Sequence, residues 1–270
     1  MDATSISGLS VAVTGGANGI GRAVAEHFAR AGARVTVGDL DVSSAVGGVT
    51  ALELDVADRD AFAAFLDEAE RRHGPLDVLV NNAGIDWIGP FHEEPDEVSR
   101  REVEVNLLGT IYGTRLAVQR MLPRRRGHVV NVASGVGRVP LPGSSVYSGT
   151  KHAIVGLTES LRLEYRGSGV RFSLIQPAQV DTAMLDGQAR PRLLPLVTAD
   201  DVAAAVVAAV RENRFEVWVP RSQGATAKLG GMLPRRVREG LLQALGVTRI
   251  AGDTDRGARG EYHRRMFGRP

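Results

Sequence analysis

Residues 10–39 read SVAVTGGANGIGRAVAEHFARAGARVTVGD, and this stretch decides the fold. Ser10–Thr14 is a short apolar run of the kind that forms a strand buried on both faces. Gly15, Gly16, Gly19 and Gly21 follow at once. Ile20, Val24 and Phe28 then recur at helical spacing until Gly32 ends the helix, and residues 34–38 read as a second strand. Strand, glycine turn, helix and strand make a βαβ unit. Glycines there let the backbone turn tightly and approach a pyrophosphate at the positive end of the following helix. Asp39 ends the second strand 18 residues after Gly21. A carboxylate at that place can accept both hydroxyls of an adenosine ribose and repels a 2′-phosphate. Ala17, Asn18 and Leu40 offer no positive charge to neutralise such a phosphate, so NAD is favoured over NADP. The plainer reading of Asp39 is a turn residue at a strand end.

The rest of the chain continues the alternation. Residues 49–56 read as a third strand, and 58–72 as an amphipathic helix with Phe62, Phe65, Leu66 and Ala69 inward. Gly74-Pro75 breaks it. Residues 76–80 form a fourth strand that runs into Asn81-Asn82-Ala83-Gly84. A long helix is predicted over 95–122, with Asn106 in its middle, where Asn is mildly unfavourable unless it faces solvent or has a task. Residues 127–133 are a fifth strand, and Ser134 lies just past its end. A helix to about 166 carries Tyr147 and Lys151. Residues 170–176 are a sixth strand ending at Pro177, ahead of Val180 and Thr182. Thr198 and Asp201 have capping-box spacing before a helix over 200–212, and 215–219 is a seventh strand. The pattern predicts an α/β fold: one doubly wound (Rossmann) parallel sheet of seven strands with helices on both faces and right-handed crossovers. Residues 1–220 form this domain, and 221–270 are a C-terminal extension.

Ser134, Tyr147 and Lys151 can form a proton-handling site. Tyr147 and Lys151 are four apart, which stacks them one turn apart on a helix face. An ammonium beside a tyrosine favours tyrosinate and lowers its pKa from about 10. A phenol tuned in that way exchanges a proton with an alcohol or carbonyl near neutral pH. Such a pair is also common on a partly solvated helix. The chain has only two lysines, Lys151 and Lys228, while arginine serves elsewhere. Arg cannot replace the compact three-donor charge of Lys.

Composition sets bounds. The length of 270 residues suits one large domain with an appendage. No cysteine is present, which excludes disulfides and thiolate metal sites, and no metal site is expected. A net charge of +2 is not the footprint of a nucleic-acid binder. Residues 1–10 lack the apolar run of a signal peptide, and no stretch is long and apolar enough to span a bilayer, so a cytoplasmic protein is expected.

Taken together, these residues resemble the short-chain dehydrogenase/reductase family along about residues 8–220. The resemblance rests on residues 14–21 (TGGANGIG), Asp55, residues 81–84 (NNAG), Asn106, residues 131–134 (NVAS), Tyr147 with Lys151, and Pro177, Val180 and Thr182. It implies that Tyr147 is the general acid/base. Lys151 would bind the nicotinamide ribose and depress the tyrosine pKa. Ser134 would orient the substrate oxygen, and Asn106 would hold a water that links Lys151 to solvent. Gly15, Gly19, Ile20 and Gly21, in the turn that also holds Asn18, would line the pyrophosphate and ribose. Asp39 and Leu40 would flank the adenosine ribose. Asp55 and Val56 would meet adenine, and Asn82, Ala83 and Gly84 would sit beside the riboses. Pro177, Val180 and Thr182 would face the nicotinamide. Two departures stand out. Ala178 replaces the usual Gly, and its methyl restricts the backbone near the nicotinamide and narrows the pocket; Gly149 and Thr150 replace the usual Ala-Ser between Tyr and Lys, where Gly149 costs helix stability but opens space beside the site.

The substrate is not written in these motifs. Met184, Leu185, Leu193, Leu194 and Leu196, with Trp87, Ile88 and residues 139–141, suggest an apolar wall and a hydrophobic secondary alcohol or ketone, steroid-like or fatty. Ordinary loop packing explains them equally well. In the extension, Leu229, Met232, Leu233, Val237, Leu241 and Leu245 recur at helical spacing among arginines. Helices packed on the body or on a neighbouring subunit, shielding the substrate mouth, are expected there ahead of contact with a membrane surface. From Gly252 on, the chain reads as a loose tail or a docked arm. The resemblance also implies a homo-oligomer, a dimer or tetramer. An NADPH-dependent carbonyl or ketoacyl reductase is the alternative enzyme, and a non-catalytic NAD-binding sensor the alternative of another class.

Overall fold

A computed structural model describes residues 5–185, 196–244 and 256–267. Seven parallel strands form one sheet in the order β3-β2-β1-β4-β5-β6-β7. They are β1 (Ser10–Thr14), β2 (Arg34–Asp39), β3 (Thr50–Glu53), β4 (Val78–Asn81), β5 (Gly127–Val132), β6 (Val170–Pro177) and β7 (Glu216–Val219). The central strands β1, β4 and β5 are buried along their whole length, as continuous apolar runs demand. The edge strand β3 is shorter than the predicted 49–56 and only partly covered, because one neighbour cannot bury both of its sides.

Helix α1 (Gly19–Arg30) and helix α6 (Ala199–Glu212) share one face of the sheet, where Val24, Phe28, Val202 and Val206 join the core. On the other face lie α2 (Arg59–His73) and α4 (Gly109–Met121), with Phe62, Leu66, Leu116 and Met121 buried. Helix α5 (Ser145–Glu164) places Ile154 and Val155 against Ala133 and Leu174. The capping box at Thr198 and Asp201 is formed as the spacing predicts.

The long helix expected over 95–122 is not one regular α-helix. Helix α3 (Asp96–Glu102) passes into a π-helical turn over Val103–Leu108 before α4 begins. A π-turn inserts a residue into the helical ladder and is frequent at functional sites. Asn106 lies inside it.

Strand order reverses between β1 and β4, so the connections that leave their carboxyl ends run in opposite directions and leave a crevice above the paired strands. The extension adds α7 (Arg221–Met232), α8 (Arg235–Ala244) and α9 (Arg256–Phe267). Leu229 is 67% exposed and Val237 50% exposed, so these two do not pack on the body, the first of the two placements expected for the apolar stripe. The side chains of Met232 and Leu241, and all of Leu245, lie outside the described residues. Among the described residues no helix is long and apolar enough to cross a membrane.

Candidate active site

The crevice is built by interlocking the tips of β1 and β4. Thr14 Oγ1 accepts hydrogen bonds from the backbone N–H groups of Asn82 and Ala83, each at 3.1 Å. The Asn82 amide donates back to the carbonyls of Thr14 and Gly15 at 3.0 and 3.2 Å. Only glycine fits at two places in this joint. Gly15 has φ 63°, and a Cβ there would lie 2.9 Å from Ala83 Cα; a Cβ at Gly21 would lie 2.0 Å from the Gly15 carbonyl oxygen. Asn81 faces inward instead. Its amide donates to Asn131 Oδ1 and Thr114 Oγ1, and Asn131 donates to Thr158 Oγ1. This buried network stitches β4, β5, α4 and α5 into one frame.

Helix α1 starts with Asn18 in an extended conformation, without a side-chain cap and without an acid in the first turn. Its open N–H groups and positive end suit an anion. Asn18 Oδ1 instead accepts from Ser44 Oγ at 3.3 Å. The Asp39 carboxylate is fixed at the tip of β2 by N–H bonds from Ala17 (3.0 Å) and Leu40 (2.9 Å). It therefore points along the glycine turn, and the Leu40 side chain stays 59% exposed. Thr182 comes within 3.4 Å of where a Cβ on Gly19 would lie, which brings the loop after β6 to the same helix start. Pro177 and Val180 are buried beneath that loop. The residues present fit a dinucleotide: turn, helix end and carboxylate line one continuous edge. Asp55 and Val56 stand farther along it. Asp55 is held by Arg101 at 2.8 Å and by the Ala57 N–H, and Val56 is buried against Gly109.

Ser134, Tyr147 and Lys151 meet at the end of β5. Ser134 follows that strand and caps a short turn, accepting from Val136 N at 3.3 Å, and it also hydrogen-bonds the Tyr147 hydroxyl. Lys151 is 3% exposed; its Nζ donates to Val132 O at 3.1 Å and lies 5.5 Å from the centre of the Tyr147 ring. Gly84 presses on the same group, because a Cβ there would come within 3.2 Å of Asn106 Oδ1 and 3.6 Å of Lys151 Nζ. Asn106 is fully buried, which removes the surface reading. Its side chain accepts from Ile85 N (2.8 Å) and donates to Ile85 O (2.9 Å) and Thr150 Oγ1 (3.3 Å).

One electrostatic expectation is corrected. The pair spacing predicts a Tyr147 pKa below 10, yet burial drives it well above the usual tyrosine range. Asp86 and Tyr262 add to the rise, and the Ser134 hydrogen bond only partly opposes it. The ring keeps some open surface, but the hydroxyl end is enclosed. Burial also pulls Lys151 down to about 8, against the pull of Asp86 and Glu102. Gly149 is the second correction. Its Cα faces open surface with nothing within 4 Å of a built Cβ, so it opens no space at the site. Gly149→Ala is expected to add about 1 kcal/mol and to raise the melting temperature by about 2–4 °C in a thermal scan, with activity unchanged.

Sequence reading misses a buried polar cluster beside Tyr147. Asp86 follows β4, Glu102 ends α3, and Arg259 and Tyr262 come from α9; all four are nearly inaccessible. Burial raises Asp86 to about 7 although Arg259 opposes it, and raises Glu102 to about 9 with help from the Asp86 charge. The only signal in the sequence is the helical spacing of Arg259, Tyr262 and His263 in a stretch that reads as a polar tail. The docked-arm reading is the one the structure supports for 256–267; residues 252–255 and 268–270 lie outside the described residues, as do Leu193 and Leu194 of the expected apolar wall.

Comparison with known proteins adds a family. The model of the short chain dehydrogenase family matches residues 10–192. The chain is 37% identical over 224 residues to 1-deoxy-11-beta-hydroxypentalenate dehydrogenase of Streptomyces exfoliatus, covering 76% of this chain and 81% of the relative. It is 33% identical over 198 residues to 3beta-hydroxysteroid dehydrogenase 2 of Eggerthella lenta, covering 69% and 76%. A crystal structure of a short chain dehydrogenase/reductase from Burkholderia phymatum in complex with NAD superposes with a TM-score of 0.75 at 28% identity, covering 84% of this chain and 94% of that one.

Proposed function

The chain belongs to the short-chain dehydrogenase family, and from that premise we propose that it is an NAD-dependent oxidoreductase interconverting a hydrophobic secondary alcohol and its ketone. The observation that carries this reading is the meeting of Ser134, Tyr147 and Lys151 at the carboxyl end of β5, beside the crevice that starts at Gly15 and ends at Asp39. The nicotinamide would supply the hydride acceptor or donor. Gly15, Asn18, Gly19, Ile20 and Gly21 would hold the pyrophosphate at the start of α1. Asp39 and Leu40 would flank the adenosine ribose, and Asp55 and Val56 the adenine. Asn82, Ala83 and Gly84 would border the riboses, while Pro177, Val180 and Thr182 would face the nicotinamide.

Ser134 positions the substrate oxygen against the Tyr147 hydroxyl, which gives or takes the proton. Lys151 holds a positive charge over the same ring and favours tyrosinate when the alcohol must lose its proton. Asn106 fixes the π-turn beneath Lys151 and keeps Gly84 close to it. The hydrophobic substrate is supported by Trp87 and Met184 at the borders of the crevice and by the hydroxysteroid and hydroxypentalenate named for two relatives. A homo-oligomer, dimer or tetramer, in the cytoplasm completes the reading; Leu163 on α5 is 72% exposed and available for a second copy.

The test is a panel of secondary alcohols followed by NADH absorbance, with both coenzymes titrated. NADH is expected to bind at least about tenfold more tightly than NADPH, because Asp39 repels a 2′-phosphate. Asp39→Ala should narrow that gap. Tighter binding of NADPH overturns the coenzyme assignment, and turnover of small polar alcohols alone overturns the hydrophobic substrate.

A further inference from the structure

The family match ends at residue 192, yet a side chain from residue 259 is among the most enclosed in the described protein. Arg259 is 1% exposed, and its guanidinium is spent on two loops at once. Nη2 donates to Asp86 O at 2.6 Å and sits 3.5 Å from Asp86 Oδ2. Nη1 donates to Met184 O at 2.5 Å, and Nε donates to His263 Nε2 at 3.2 Å. Asp86 belongs to the loop leaving β4, and Met184 to the loop after β6 that carries Thr182. The first loop leaves the carboxyl end of β4 and the second that of β6, the two strands that flank β5, at whose end Ser134 and Tyr147 meet. One buried cation therefore ties both loops to α9, and its charge is met by a carboxylate and two carbonyls, as burial requires.

The rest of the inner face of α9 follows at helical spacing. Tyr262 is 4% exposed, lies under the Arg259 guanidinium at 4.2 Å, and brings its hydroxyl to 3.4 Å from Asp86 N. It lies near enough to Tyr147 for ionisation of one phenol to disfavour ionisation of the other. The His263 ring lies nearly parallel to Trp87, 14° between planes with centres 6.0 Å apart, and Phe267 packs edge-on to His263 at 5.8 Å. Gly257 and Arg264 face outward.

We propose that α9 is the outer wall of the substrate pocket, that Tyr262 sets the largest ring system the pocket accepts, and that Arg259 is the positioning residue that holds the wall. This rests on the dehydrogenase reading and narrows it. The wall offers a phenol and an imidazole, and the Trp87 indole of the loop after β4 stacks on it. Its one buried cation is already engaged by the protein. The substrate it fits is an uncharged alicyclic secondary alcohol of limited size. A wall added after the part matched to the family is also the place where members with the same chemistry can differ in substrate.

Oxidation of cyclohexanol and of the bulkier decahydronaphthol is to be compared in the full-length protein and in Tyr262→Ala, with hydrogen exchange followed in α9. The ratio of kcat/KM for decahydronaphthol over cyclohexanol is expected to rise about tenfold or more in the variant while α9 amides stay protected. Arg259→Met should raise that ratio too, but with fast exchange in α9 and unchanged NADH affinity; Arg259→Lys should restore part of the protection. An unchanged ratio in Tyr262→Ala, or α9 amides exchanging freely in the parent protein, overturns the proposal. If the parent oxidises neither alcohol, the dehydrogenase reading is what fails. The wall is then judged by titrating the corresponding bicyclic ketone against tryptophan emission: tighter binding in Tyr262→Ala supports it, and equal binding overturns it.

Discussion

Tyr147→Phe is expected to lower turnover by about a thousandfold or more while NADH affinity stays within about twofold of the parent. The change removes one oxygen and keeps the ring, so packing on α5 and the Lys151 contact at 5.5 Å survive. What is lost is the proton path between the substrate oxygen and the protein. Ser134 is a poor replacement, because an aliphatic hydroxyl is a far weaker acid than a phenol. The enclosed hydroxyl has a pKa raised by burial, so the ground state holds the proton firmly. That suits an acid for carbonyl reduction. The reverse reaction needs additional positive charge, from Lys151 and the oxidised nicotinamide, to favour tyrosinate. Stopped-flow hydride transfer and NADH fluorescence titration separate the two effects. Retained turnover in this variant would remove Tyr147 from the chemistry.

The βαβ start was legible because its physics is local. A buried parallel strand needs continuous apolar residues, and the turn at Gly15 needs a positive φ with no Cβ. Both demands are written within 30 residues. The same holds for the capping box at Thr198. Asn106 was harder. A mid-helix Asn reads alike whether it faces water or, as here, bonds both backbone groups of Ile85 from inside a π-turn. The turn type depends on packing against residues 21 positions away. Tyr147 shows a different limit. Spacing correctly puts Lys151 one turn away, but spacing says nothing of the desolvation that dominates the pKa. The cluster of Asp86, Glu102, Arg259 and Tyr262 was invisible for a topological reason. Its members are separated by up to 176 residues, and burial of Arg259 is tolerable only once Asp86 and Met184 are in place to receive it.

Glu102→Gln is expected to stabilise the protein near pH 7–8 and to do nothing near pH 4. Glu102 is fully buried, with Oε1 accepting from Trp87 N at 2.5 Å and Oε2 without a hydrogen-bond partner. The groups that act on it or that it acts on are Asp86, Glu94, Arg259, Tyr147, Lys151 and Tyr262. Burial and the Asp86 charge keep it protonated in the fold up to about 9, while in the unfolded chain it ionises above about 4.5. Folding therefore takes up a proton between those values. The folded state binds more protons than the unfolded one, so stability falls as pH rises through that window. Each pH unit costs about 1.4 kcal/mol, and a loss of about 3–4 kcal/mol is expected by pH 7. Gln keeps the shape and the acceptor for Trp87 N and takes up no proton, so the loss disappears. Urea titrations of both proteins at pH 4.5 and pH 7.5 measure the difference directly. A gain of equal size at the two pH values would mean that packing, not protonation, is responsible. A loss at pH 7.5 would mean that Glu102 is ionised in the fold and paired with Arg259. A gain confined to pH 7.5 means that Glu102 is neutral in the fold and leaves Asp86 as the carboxylate that meets the Arg259 guanidinium.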